Sequence, residues 1–123
     1  LGLEAAAQPA WVLARRELLE EALANLLANA LRYTPAGGRV TVTVAVDGNS
    51  ASLSVCDSGP GIPPDELGRA TQRFFRASNS QGSGSGLGLA IVASIAKRHQ
   101  GRFDLLQASG EGGLCARITL ARR

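Results

Sequence analysis

The stretch Ser52-Leu53-Ser54-Val55-Cys56-Asp57-Ser58-Gly59-Pro60-Gly61-Ile62 alternates polar and apolar side chains, then breaks into a glycine-proline turn just after Asp57. Alternation is the period of a half-buried β-strand, so this strand delivers a carboxylate onto a glycine turn. Upstream, Val40-Thr41-Val42-Thr43-Val44-Ala45-Val46 alternates in the same way, and Asp47-Gly48-Asn49-Ser50 is a turn cluster. The two runs therefore predict a β-hairpin. Before it, from Arg16 to Arg32, apolar residues fall at 19, 23, 26, 27, 30 and 31 among good helix formers, which predicts a helix. Thr34-Pro35-Ala36-Gly37-Gly38 should end it.

Other elements follow from shorter signals. Ala10-Trp11-Val12-Leu13-Ala14, bounded by Pro9 and Arg15-Arg16, reads as a short strand. Pro63-Pro64-Asp65-Glu66-Leu67 reads as a helix start, with proline in the first turn and acids near the positive end of the dipole. Residues 77–86 carry no large apolar side chain and are expected to form a mobile lid. Leu87 to Arg98 is a second apolar helix ending around Gly101, and Phe103–Leu106 and Leu114–Leu120 are strands flanking the turn Gly110-Glu111-Gly112-Gly113. The sum is an α+β two-layer sandwich, a mixed sheet of about five strands packed against about three helices. No repeat or linker divides residues 1–123, so a single domain is expected.

Composition narrows the function. At 123 residues the chain can bury about two-thirds of its unfolded surface. Aromatic residues make up only 4%, so the core must be built from Leu, Val, Ile and Ala. The net charge of +3 is spread over scattered basic residues, and a single Tyr and a single Trp offer bases little to stack on, which argues against nucleic acid as partner. Cys56 and Cys115 both lie in apolar runs. The expectation is two small buried hydrophobes in a reducing compartment, with a disulfide between neighbouring strands as the alternative. No segment has the ~18 apolar residues of a membrane span. The chain starts without Met, and the expectation is a fragment of a longer protein.

Three motifs carry chemistry. Asn25 and Asn29 are four apart on the first helix, with Arg32 and Tyr33 a turn further on. An Asn carbonyl oxygen suits Mg²⁺, which takes hard oxygen ligands while bridging to phosphates; Arg32 can reach a phosphate and Tyr33 can pack on sugar or base. A solvated polar helix face is the plainer alternative. Asp57 can accept a hydrogen bond from an exocyclic amine such as adenine N6, while Gly59 and Gly61 let backbone approach a ring; a simple β-turn is the alternative. Gly84-Ser85-Gly86-Leu87-Gly88-Leu89 leads straight into a helix, whose unpaired N–H groups and dipole favour phosphate. It is neither a Walker loop nor a dinucleotide fingerprint, since no Gly-Lys-Ser/Thr and no βαβ unit accompany it. Between the glycine clusters, Phe74 and Phe75 would anchor the lid, and Arg73 or Arg76 could reach a terminal phosphate.

Together these residues resemble the catalytic ATP-binding domain of bacterial sensor histidine kinases, in the wider family that includes gyrase and chaperone ATPases. Asn25 to Tyr33 is similar to its N box, Asp57 to Ile62 to its first glycine box, Phe74-Phe75-Arg76 to its F box, and Gly84 to Leu89 to its second glycine box. The resemblance implies a Bergerat-type fold with an ATP lid at residues 77–86 and, as cofactors, ATP and Mg²⁺. It implies Asn29 as the Mg²⁺ ligand and Asp57 as the reader of adenine N6. Nucleotide contacts would also come from Arg32, Tyr33, Gly59, Gly61, Ile62, Phe75 and the run Gly84, Ser85, Gly86, Leu87, Gly88 and Leu89.

Asn25, Arg32 and Arg76 are the expected catalytic residues. ATP-hydrolysing members carry a general-base Glu four residues before the metal-binding Asn; Asn25 stands there, which favours phosphotransfer to histidine over hydrolysis. His99 is the only histidine and lacks the Glu-x-x-x-Pro context of a phosphoacceptor, so it is expected to cap carbonyls at a helix end. The chain should therefore bind ATP without phosphorylating itself. The partners implied are a dimerisation domain bearing the acceptor histidine and a downstream response regulator. The fragment is expected in the cytoplasm without direct membrane contact, its parent being anchored in the inner membrane. An ATP-gated binding module and a free-standing ATPase are the alternatives.

Overall fold

The computed structural model describes residues 2–4, 11–34, 36–59, 88–107 and 113–121. In chain order these form β1 (Gly2–Glu4), α1 (Arg16–Tyr33), β2 (Val40–Asp47), β3 (Ser50–Asp57), α2 (Gly88–Arg98), β4 (Arg102–Gln107) and β5 (Leu114–Ala121). The strands make one sheet in the order β1-β2-β3-β5-β4. β1 runs parallel to β2, and the other three pairs are antiparallel. The helix expected to start at Pro63 and the lid at residues 77–86 lie outside the described residues.

The hairpin and both helices form where the periodicity places them. Alternation is clearest in β5, where Leu114, Ala116, Ile118 and Leu120 are buried and the residues between them are not. Val40 and Val42 of β2 and Val55 of β3 point to the same layer. Leu89, Val92, Ile95 and Ala96 of α2 cover it from one side. The buried line of α1 is Ala22, Leu26 and Ala30. This differs from the expected stripe: Leu19, Leu23 and Leu27 only flank the core, and Leu31 is 61% exposed. Alanines four apart let α1 sit close to both β3 and α2, and larger side chains fill the margins.

The strand expected at Ala10–Ala14 is corrected. Only Val12 makes an isolated bridge. Trp11 is 71% exposed and Leu13 79%, whereas Val12 and Ala14 pack on the core, so a period of two is present without a ladder. The edge position beside β2 is taken by β1 instead.

Two glycines explain how α2 turns into β4 and how β5 begins. The N–H of Gln100 donates to Lys97 O at 3.0 Å and that of Gly101 to Ala96 O at 2.8 Å, closing the helix as a Schellman motif. Gln100 holds the left-handed position, with φ 57°. Glycine is needed one residue later, because a Cβ on Gly101 would overlap the Thr119 carbonyl and the Leu120 side chain. Gly113 has φ 89°, and a Cβ there would strike the Asp57 carbonyl.

The cysteines are not free. Cys56 and Cys115 face each other in the β3–β5 register and form a disulfide, with Cα atoms 4.0 Å apart. The apolar runs around them predict two small buried hydrophobes, and the alternative, a disulfide between neighbouring strands, is what forms. The strand register puts both sulfurs, half-buried, on the sheet face opposite the helices.

Candidate nucleotide-binding site

Asp57 is the last residue of β3 and, at 7% exposure, the only buried charged side chain among the described residues. Alternation along β3 turns it to the helix side of the sheet, like Val55 before it. Its Oδ1 accepts the N–H of Gly59 at 3.0 Å and that of Leu114 at 3.4 Å. Oδ2 accepts no hydrogen bond among the described residues. Burial pushes the carboxyl above its ordinary value of 3.8, and the two backbone donors oppose that rise. The backbone after it is clamped: the Ser58 N–H donates to Arg39 O at 2.9 Å, and the Arg39 N–H donates to Ser58 Oγ at 2.7 Å. These bonds extend the β2–β3 pairing one step past the strand and hold Gly59, itself buried, under the carboxylate.

The first helix supplies the second wall. Asn25 Nδ2 donates to Glu21 O at 2.8 Å, one turn back. That bond fixes the amide so that its Oδ1 looks at Gly88, the first residue of α2; a Cβ on Gly88 would sit 3.5 Å from it. Asn29 is half-buried one turn on, and Arg32 is exposed in the last turn. Thr34 Oγ1 donates to Ala30 O at 2.7 Å and closes the helix before the Pro35 position. α1 and α2 run antiparallel, since Asn25 meets the start of α2 while the Arg15 N–H reaches His99 beyond its end.

Of the expected site residues, the structure brings together Asn25 and Gly88 by contact, and Asp57 and Gly59 by hydrogen bond. Leu89 is buried in the core, so only its backbone is available to a ligand. The side chain of Tyr33, and Gly61, Ile62, Phe75, Arg76 and residues 84–87, lie outside the described residues. Sequence reasoning missed Gly113 and Leu114, which close on Asp57 from β5. The paired glycines before that strand were the signal available. It also missed Arg39 as backbone partner of Ser58.

His99 has the role expected of it. Its Nδ1 lies 2.9 Å from Ile95 O, an acceptor only, and its Nε2 accepts the Arg15 N–H at 3.0 Å. The proton is therefore on Nδ1, and both nitrogens are occupied. No cluster of three or more His, Cys, Asp or Glu suited to a metal occurs among the described residues.

Residues 14–123 match the family described as histidine kinase-, DNA gyrase B-, and HSP90-like ATPase. The chain belongs to this family. Within it, the chain is 41% identical over 97 residues to the phosphate regulon sensor protein PhoR of Pseudomonas aeruginosa, a match covering 76% of this chain and 22% of PhoR. The solved mycobacterial sensor histidine kinase MprB superposes with a TM-score of 0.89 at 36% identity, over 99% of this chain and 84% of that one. Full-length ShkA, solved in complex with AMPPNP, superposes with a TM-score of 0.77 at 31% identity, over 98% of this chain and 26% of ShkA. The chain spans 19–28% of the length of curated relatives it matches. It is a histidine-kinase-type member of the ATPase family, and the sheet with its two helices is that family's ATP-binding fold.

Proposed function

We propose that this chain is the catalytic ATP-binding domain of a sensor kinase: it binds ATP with Mg²⁺ and donates the γ-phosphoryl group to a histidine on a separate dimerisation domain of the same parent. The observation carrying this reading is Asp57, a buried carboxylate held by two backbone N–H groups on one oxygen, with the other oxygen accepting none among the described residues. That geometry suits an exocyclic amine donor such as adenine N6, and the buried Gly59 lets the ring come close. Full-length ShkA was solved in complex with AMPPNP, an ATP analogue, which agrees with an adenine nucleotide as ligand.

The remaining chain residues divide the work. The first N–H groups of α2 have no intrahelical acceptor and, with the helix dipole, favour a phosphate beside Gly88. Asn29 presents an amide oxygen, the donor type Mg²⁺ accepts, on the same side of α1 as Asn25. When bound there, Mg²⁺ would neutralise phosphate charge. Arg32, exposed at the end of α1, and Arg76 would balance charge on the γ-phosphoryl as its bond to the β-phosphate oxygen breaks. An imidazole nitrogen of the partner's histidine takes the phosphoryl group, and ADP leaves. Asn25, tied to Glu21 O, offers no carboxylate to activate water, so transfer is favoured over hydrolysis.

No described helix is long and apolar enough to cross a membrane. In this reading the chain works in the cytoplasm as one domain of an anchored parent, and a response regulator receives the phosphoryl group downstream. The deciding experiment mixes the chain, γ-labelled ATP and a histidine-bearing dimerisation domain. Acid-labile label on the partner supports the proposal. Label released only as phosphate would make the chain an ATPase, and nucleotide binding without either product would make it a regulatory module.

A further inference from the structure

The β3–β5 ladder stops at the pair Cys56 and Cys115. Each cysteine has as its neighbour a residue of the candidate site: Asp57 follows Cys56, and Leu114 precedes Cys115. Past that pair, the strands are joined not by a backbone rung but by the Leu114 N–H reaching Asp57 Oδ1 at 3.4 Å, a long hydrogen bond. Gly113 lies against the Asp57 carbonyl at the same point. The disulfide is thus the covalent tie at the final rung of the β3–β5 ladder, one residue from the carboxylate. It sits on the sheet face away from the helices and is half-buried, within reach of a small thiol.

We propose that the Cys56–Cys115 bond is a thiol–disulfide exchange site that tunes nucleotide binding through the position of Asp57. The inference rests on the reading of Asp57 as the adenine contact. A small thiolate attacks one sulfur and forms a mixed disulfide. A second thiol then resolves it, so that two protein thiols and one disulfide of the small thiol are produced and two electrons pass to the protein. With the tie open, β3 and β5 are joined past the Cys56–Cys115 rung by the long hydrogen bond from Leu114 alone, while the other edge of β5 stays paired with β4. The carboxylate loses one of its two backbone donors and with it the fixed orientation of Oδ2. A disulfide of a small thiol reverses the exchange. In a thiol-rich compartment the open form prevails, and an oxidant closes the site.

The test titrates ATP calorimetrically into the chain in three forms: oxidised, reduced with dithiothreitol, and carrying Cys56→Ser with Cys115→Ser. Alkylation followed by mass measurement counts the free thiols in each. The expected result is tightest binding by the oxidised chain, about 3- to 10-fold weaker binding on reduction, and recovery on re-oxidation by oxidised glutathione. The double variant should bind like the reduced chain and ignore thiols. Equal affinity in the oxidised and reduced chain overturns the inference while leaving the nucleotide site standing. So do two alkylatable thiols that persist after oxidised glutathione. Absence of ATP binding in both states removes the nucleotide reading and the coupling together. The comparison of oxidised with reduced wild type decides the matter even if the double variant fails to fold.

Discussion

At one end of the antiparallel α1–α2 pair, His99 uses both ring nitrogens inside the protein, one on Ile95 O and one on the Arg15 N–H. At the other end, Asn25 uses its amide nitrogen on Glu21 O while its oxygen faces Gly88, and among the described residues Asp57 uses only Oδ1. The first end is saturated and serves the fold. The second keeps acceptor capacity in a partly desolvated place, which is costly for a protein unless a ligand uses it. The contrast separates a structural polar cluster from the proposed binding one more sharply than residue type does, since an imidazole is the commoner catalytic group of the two.

The largest effect expected from breaking this contrast is at Gly113. Gly113→Ala forces a Cβ onto the Asp57 carbonyl at a positive φ, and chemical denaturation should show a loss of about 3 kcal/mol or more, with nucleotide binding lost as Asp57 shifts. Wild-type stability in that variant would mean that β5 does not close on Asp57.

Asp57→Asn separates binding from folding. Replacing a charged acceptor by an amide should weaken ATP binding at least about 10-fold in a calorimetric titration, from the ~1.5–3 kcal/mol of a hydrogen bond to a charged group. The fold should not suffer at neutral pH. Because burial raises the folded carboxyl above its value of 3.8, the stability tied to this group is complete below 3.8 and is lost as pH rises through the raised folded value. Thermal melts across that interval should show a downward slope in the wild type that the Asn variant lacks. Unchanged ATP affinity would remove Asp57 from the site.

At the saturated end the expectations invert. His99→Ala removes the partner of the Arg15 N–H and the tie to Ile95 O, and should cost about 1–2 kcal/mol in denaturation while ATP affinity stays within twofold. A large drop in ATP affinity would show that the two ends are coupled through α1 and α2. The smallest effect belongs to Arg16, whose ion pair with Glu20 at 2.9 Å is formed by side chains 87% and 65% exposed. Arg16→Ala should change stability by less than about 0.5 kcal/mol, and less still in high salt.

The same contrast shows what could be seen from the chain alone. Asp57 was legible because a strand period and a glycine turn meet within a few residues, and both are local signals. Asn25 was legible as a helix position, four from Asn29, but its contact with Gly88 joins residues far apart in the sequence. Leu114 reaches Asp57 across 57 positions, and nothing local marks a leucine as a carboxylate's partner. The run Ala10–Ala14 misled because alternation reports which side chains face the core, not whether a neighbouring strand is there to pair with.

By itself the sequence determined the hairpin, the two amphipathic helices and the order of the Asn, Asp and glycine motifs that place this chain among histidine-kinase-type ATPases. These depend on periodicity and turn chemistry, which act over a turn of helix or a few strand residues. Only the tertiary structure decided the strand order β1-β2-β3-β5-β4, the Cys56–Cys115 pairing and the closure of Gly113 and Leu114 on Asp57. Those depend on register between distant strands, and register is set by which faces are buried together in the folded core.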